Sequence, residues 1–164
     1  VVATGNDGLD SNGNLYIQGG TIMAFGTSSP ECGIDANEEE GYSVIFTGGT
    51  LLAVGGGNST PSTSESTQPY VSGSMSVAAD TEVTLKSGDT VLAKFTVPSN
   101  YTSGNGGQGG GPGGGGPGGW GGGGSSVLIT CPGLTSGSSY TMTSGTSSST
   151  VTATTGGNSG GRPW

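Results

Sequence analysis

The sequence predicts an all-β protein: coils of a right-handed parallel β-helix, then a small antiparallel β-sheet cap that carries a glycine-rich insert. Three observations lead there. Only 29% of the 164 residues are hydrophobic, against roughly 45–50% in ordinary globular chains, so a large conventional core is excluded. The apolar residues gather in short β-branched runs between glycines, and a net charge of −8 is moderate, both of which argue against disorder. The chain also repeats itself. Stacked β-repeats reconcile these facts, because each strand pairs with those above and below and needs little core per residue.

The repeat carries the coils, residues 1–57. Gly19-Gly20-Thr21-Ile22-Met23-Ala24-Phe25-Gly26 matches Gly48-Gly49-Thr50-Leu51-Leu52-Ala53-Val54-Gly55 at an offset of 29. A short strand pattern precedes each, Leu15-Tyr16-Ile17 and Val44-Ile45-Phe46. Further upstream, Gly8-Leu9-Asp10 matches Gly33-Ile34-Asp35 at an offset of 25, and the difference fits an insertion around Glu38-Glu39-Glu40-Gly41. Val1-Val2-Ala3-Thr4-Gly5 has the form of Ile22–Gly26 at an offset of 21, so the sequence given opens inside a coil. Glycines turn the corners, and alternation points Ile17, Ile22, Ala24, Phe46, Leu51 and Ala53 inward. A leucine-rich repeat has a similar period, but its Leu-x-x-Leu-x-Leu pattern is absent.

Residues 58–69, rich in Ser, Thr and Pro, read as a polar linker or long loop. Residues 70–143 alternate like strands around Tyr70-Val71, Ser74–Val77, Glu82–Leu85, Val91–Val97, Ser126–Thr130 and Ser139–Thr143. Lys86–Thr90 is a hairpin turn signal. We expect these strands to form one sheet that caps the coils, since an open end exposes unpaired backbone groups. The insert, 104–124, is either a flexible loop or an extended segment packed on another copy. Trp120 within it is the candidate ligand contact. The Ser/Thr/Gly-rich tail, 144–164, contains Val151–Thr155, which could add a strand to a neighbouring edge. Cys32 and Cys131 permit one disulfide in an oxidising compartment, and two separate buried thiols are the alternative.

Charge is unevenly placed. Seven of the eleven acids fall within the first 40 residues, and no Lys or Arg occurs before Lys86. Asp10 and Asp35 hold equivalent positions in the repeat, so stacking brings them about 4.8 Å apart from coil to coil. Like charges at that range repel unless a cation or a proton intervenes. With Asp7, Asn12 and Asn37 they make an oxygen-rich set suited to Ca²⁺. Capping of backbone turns is the competing role for the same residues. The spacing is not that of an EF-hand. Glu38-Glu39-Glu40 reads as a solvated insertion.

The absence of His removes His-based acid–base chemistry and His metal ligands. The acidic balance argues against nucleic acid as a partner. No apolar run approaches the roughly 20 residues of a membrane span.

Asn6-Asp7-Gly8-Leu9-Asp10-Ser11-Asn12-Gly13, Gly19-Gly20-Thr21, Gly33-Ile34-Asp35 and Gly48-Gly49-Thr50-Leu51 together resemble the secreted bacterial carbohydrate-binding β-helix family, in its last coils and C-terminal part. The resemblance implies a parallel β-helix, calcium in the loops that hold Asp7, Asp10 and Asp35, an extracellular or cell-surface location, and binding of acidic polysaccharide such as polygalacturonate, with cellulose as a further candidate. An acidic protein takes an acidic glycan only through bridging cations. A structural subunit of an extracellular filament is the second reading, since a coil edge can be satisfied by another copy. Catalysis is not expected. A lyase on this fold needs a base near the metal, and the only basic residues are Lys86, Lys94 and Arg162. An Asp7/Asp10 glycosidase pair has no other support.

Overall fold

A computed structural model describes residues 1–102 and 124–155. Trp120, Arg162, nearly all of the insert and the end of the tail lie outside the described residues. The described chain is all-β, with one 3₁₀ turn at Glu38–Glu40. Among the described residues no helix is long and apolar enough to cross a membrane.

Strands β1 (Val2–Thr4), β3 (Leu15–Phe25) and β5 (Val44–Gly55) pair in parallel, and so do β2 (Leu9–Ser11) and β4 (Ile34–Ala36). The registers follow the repeat: Ala3 faces Ala24, Asp10 faces Asp35, Leu15 faces Val44 and Phe25 faces Val54. The Gly-Gly-Thr blocks sit where the β3–β5 register slips, between Ile17 and Thr21. Gly20 and Gly49 take positive φ there, and a Cβ on Gly49 would stand 2.9 Å from the Gly19 carbonyl carbon. Only glycine suits both conditions.

The parallel run then stops, and the sheets are mixed rather than a plain succession of parallel coils. Strand β9 (Ser125–Thr130) runs antiparallel to β5 on one side and to β6 (Tyr70–Met75) on the other, giving the order β1-β3-β5-β9-β6. Strands β7 (Glu82–Ser87), β8 (Thr90–Thr96), β10 (Ser139–Ser144) and β11 (Ser147–Thr152) form a separate antiparallel sheet. The segment expected to make one cap is thus divided. Its first and fourth strands extend the five-stranded sheet, and the others cover that sheet's outer face. Val151–Thr155 is not a spare strand. Val151 and Thr152 pair with Tyr140 and Ser139 inside β10–β11, and Thr154 exchanges both backbone hydrogen bonds with Tyr70.

Strand β5 shows why the cover is needed. Leu51 and Ala53 pack inward with Ile17, Ala24, Ile34 and Phe46. The alternate residues Leu52 and Val54 pack on the other face with Val71, Val83, Phe95, Ile129 and Met142. A strand buried on both faces reads as a continuous apolar run, as Leu51–Val54 does. Phe25 points to the same outer layer and packs against Tyr101, with ring centroids 5.0 Å apart and the planes tilted by 45°. Each such side chain contributes about 1.5–3 kcal/mol by leaving water.

Residues 58–69 are a loop, held by its polar side chains against the edges of β4 and β5. Ile34 N–H donates to Asn58 Oδ1 at 3.0 Å, Ala36 N–H to Ser59 Oγ at 3.0 Å, and Phe46 N–H to Ser66 Oγ at 3.1 Å. Backbone N–H groups of Ser59, Ser62 and Thr67 return bonds to the carbonyls of Ile34, Val44 and Phe46. Hydroxyl and amide groups here do what a neighbouring strand would do, which explains why Ser59 and Ser66 are buried.

Cys32 and Cys131 are not joined. The Cys32 backbone lies against Gly55, and Gly55 pairs with Ser126. Cys131 lies beyond the other end of β9, about 16 Å away at ~3.3 Å per residue, whereas a disulfide needs Cα atoms within about 7 Å. Cys131 packs in the layer between the sheets, and burial pushes its thiol pKa up.

Candidate functional site

The parallel pairing of β2 and β4 sets Asp10 and Asp35 side by side as register partners. Two turns extend the site. One follows β2 and carries Asn12, and the other follows β4 and carries Asn37 and Glu38. Together these residues line a cleft of about 570 Å³, with Ser59 from the 58–69 loop on its wall. Four of the five residues expected to hold a cation, Asp10, Asn12, Asp35 and Asn37, therefore meet in one cleft.

Asp7 stands just outside it, oriented by the Cys32 N–H, which donates to Asp7 Oδ1 at 2.6 Å. Oxygen atoms of Asp7 and Asp35 and the Cys32 Sγ all lie within 4.8 Å of one another. Asp35 Oδ1 accepts a hydrogen bond from Ser59 Oγ at 2.8 Å, and that hydroxyl accepts the Ala36 N–H. The carboxylate is thereby tied to the same device that seals the edge of β4.

Sequence reasoning passed over three members of this site. Glu31 lies beside Asp7. The Asp7 charge, followed by desolvation, a hydrogen bond with Asp7 and the Asp35 charge, holds the Glu31 carboxyl above its ordinary range. Glu38, read as part of a solvated insertion, lines the cleft and accepts the Thr60 N–H at 2.6 Å. Cys32 adds a sulfur. Only the clustering of acids before residue 40 signalled Glu31 and Glu38, because their contacts come from the fold.

The electrostatics are one-sided. The described lysines, Lys86 and Lys94, lie on β7 and β8 of the other sheet, where Lys94 pairs with Glu82 at 2.6 Å. Closely spaced carboxylates with no base among them favour cations. The donor set divides in two around the shared Asp35. Asp10, Asp35, Glu38, Asn12 and Asn37 present hard oxygens, the donors calcium takes. Asp7, Asp35 and Cys32 combine oxygen with a soft sulfur, which calcium does not use. Trp120, the expected ligand contact, lies outside the described residues.

No family model, curated protein or solved structure matches the chain, so the resemblance drawn from its motifs rests on those motifs alone.

Proposed function

We propose that this protein is a non-catalytic, calcium-dependent carbohydrate-binding protein that acts outside the cell or at its surface. In this reading the parallel pairs at offsets of 21, 25 and 29 residues are rungs of right-handed β-helix coils. Their loops hold Ca²⁺ between Asp10 and Asp35, with Asn12, Asn37 and Glu38 as further oxygen donors. The bound cation then bridges to the carboxylates of an acidic polysaccharide such as polygalacturonate.

The observation that carries the reading is the register pairing of Asp10 with Asp35, which line one cleft together with Asn12, Asn37 and Glu38. A cation would offset the repulsion that stacking imposes. The filament reading has less support. Strand β1 is an edge, with Val1 and Val2 exposed. A head-to-tail contact needs a second open edge. The opposite edge of that sheet is β6, where Thr154 already exchanges both backbone hydrogen bonds with Tyr70.

The test is thermal unfolding and polysaccharide retention, each in millimolar calcium and in chelator. Calcium should raise the melting temperature by binding the folded state. Polygalacturonate should be retained in calcium and released by chelator, and neutral glucans should pass through. Identical melting curves in calcium and EDTA would remove the cation. Equal retention without calcium would remove the bridging mechanism.

A further inference from the structure

We infer that the Asn12-Gly13 pair is a site of spontaneous modification, at which Asn12 deamidates in the folded protein and adds a carboxylate to the acidic cleft.

The chemistry is local. Once its proton has passed to base in solution, the Gly13 backbone nitrogen can attack Asn12 Cγ. A C–N bond forms, the side-chain amide leaves as ammonia, and a five-membered imide remains. Water then opens the imide at one of its two carbonyls. The product is aspartate, or isoaspartate with the main chain routed through the side-chain carbonyl. Amide plus water becomes carboxylate plus ammonium, with no change of oxidation state, no ligand and no enzyme. Glycine after the asparagine leaves the attacking nitrogen least hindered, because it has no side chain.

Two pairs of Asn or Asp followed by Gly occur among the described residues, Asp7-Gly8 and Asn12-Gly13, and the fold treats them oppositely. Asp7 Oδ1 accepts the Cys32 N–H at 2.6 Å, and the Gly8 N–H donates to the Cys32 carbonyl at 3.0 Å. A Cβ on Gly8 would stand 2.6 Å from the Phe25 backbone nitrogen. Ring closure there would break both bonds in a space already filled by backbone. Asn12 is exposed in the turn after β2, and among the described residues nothing hydrogen-bonds its side-chain amide. Other asparagines are held at both ends of the amide. Asn14 donates to Tyr16 Oη at 3.1 Å and accepts the Ser43 N–H at 2.9 Å, while Asn58 accepts the Ile34 N–H and donates to the Ser126 carbonyl at 3.3 Å. A Cβ on Gly13 would meet nothing within 4 Å, so an imide has room. The Gly13 N–H does donate to Ser11 Oγ at 3.2 Å. That hydroxyl belongs to the same turn and rotates freely, so water replaces it at little net cost.

The consequence falls on the cleft, which Asn12 lines with Asp10, Asp35 and Glu38. Conversion turns a neutral wall residue into an anion and strengthens the pull on cations.

The experiment ages the folded protein at mildly alkaline pH and body temperature, beside a sample unfolded in guanidinium. A protease that cuts after glutamate releases residues 1–31, separate from the second Asn-Gly pair at Asn105-Gly106, and fragment masses locate any change. The folded sample should gain the mass of amide-to-acid conversion at Asn12, and an isoaspartyl methyltransferase should label the same peptide. Isoaspartate at Asp7 should form in the unfolded sample only. The aged protein should co-elute with Asn12→Asp on native ion exchange. Gly13→Ala should lose most of the gain and keep the wild-type melting curve, since the site accommodates the methyl group. An unchanged peptide from the folded sample, whatever happens in guanidinium, would overturn the inference. So would a gain at Asn6 or Asn14 in place of Asn12, or a Gly13→Ala variant that ages as fast as wild type.

Discussion

Replacing Ser66 or Ser59 by alanine should destabilise the fold far more than a serine on a loop ordinarily would. Ser66 Oγ accepts the buried Phe46 N–H at 3.1 Å, on a part of β5 where the loop stands in for a strand. Without it that amide has no partner, at a cost of about 1–3 kcal/mol. Ser59→Ala does the same to the Ala36 N–H, and it also withdraws the hydroxyl that donates to Asp35 Oδ1 at 2.8 Å. The two amides lie on different strands with separate partners, so the losses should add to about 2–6 kcal/mol. That is a large part of the roughly 5–15 kcal/mol that holds a typical domain together. Ser64→Ala is the control. Its exposed hydroxyl lies only 3.4 Å from that of Ser62, and its loss should stay within about 0.5 kcal/mol. Urea unfolding followed by circular dichroism reads the midpoint at constant slope. A second readout separates the two serines, because only Ser59 touches the acidic cleft. Ser59→Ala should alter the calcium-induced shift in melting temperature, and Ser66→Ala should leave it unchanged. Wild-type midpoints for both variants would mean that water satisfies these amides and that the loop does not seal the sheet edge.

Further outcomes follow from the same contacts. Asp10→Asn should raise the melting temperature in chelator at low salt, by relieving repulsion with Asp35, and should abolish most of the rise that calcium gives. The Glu31 carboxyl is raised in the folded state chiefly by Asp7, so its contribution to stability is fully present below the ordinary carboxylate range. That contribution is lost as pH rises through the raised folded value. Asp7→Asn should return the Glu31 titration, followed by NMR, toward its ordinary range. Leu52→Ala, in the layer between the two sheets, should cost about 2–5 kcal/mol in urea unfolding. A reductant should leave the melting curve unchanged, and buried Cys131 should react with iodoacetamide only after unfolding; mass shifts on the two thiols check both points.

The sequence by itself determined which residues pair in the parallel strands. Glycine corners and matched strand patterns recur in the same order, each block at its own offset of 21, 25 or 29 residues, and the backbone pairing follows those offsets. Ala3 with Ala24, Asp10 with Asp35 and Leu15 with Val44 could therefore be read without a structure. The approach of the two aspartates is a direct consequence of that register. The tertiary structure alone decided the rest. Alternation placed Leu51 and Ala53 inside but could not say what covers Leu52, Val54 and Phe25. Their cover comes from strands far later in the chain, β7, β8, β10 and β11, and β9 joins the five-stranded sheet while β10 does not. Polar composition left residues 58–69 open as a linker or a long loop, because nothing local distinguishes a solvated serine from one that caps a strand. The same holds for Cys131, for Glu31 and for Glu38, whose roles depend on what is brought against them. Periodic pairing is a short-range rule written into spacing, whereas burial and charge environment are sums over neighbours that only the folded chain assembles.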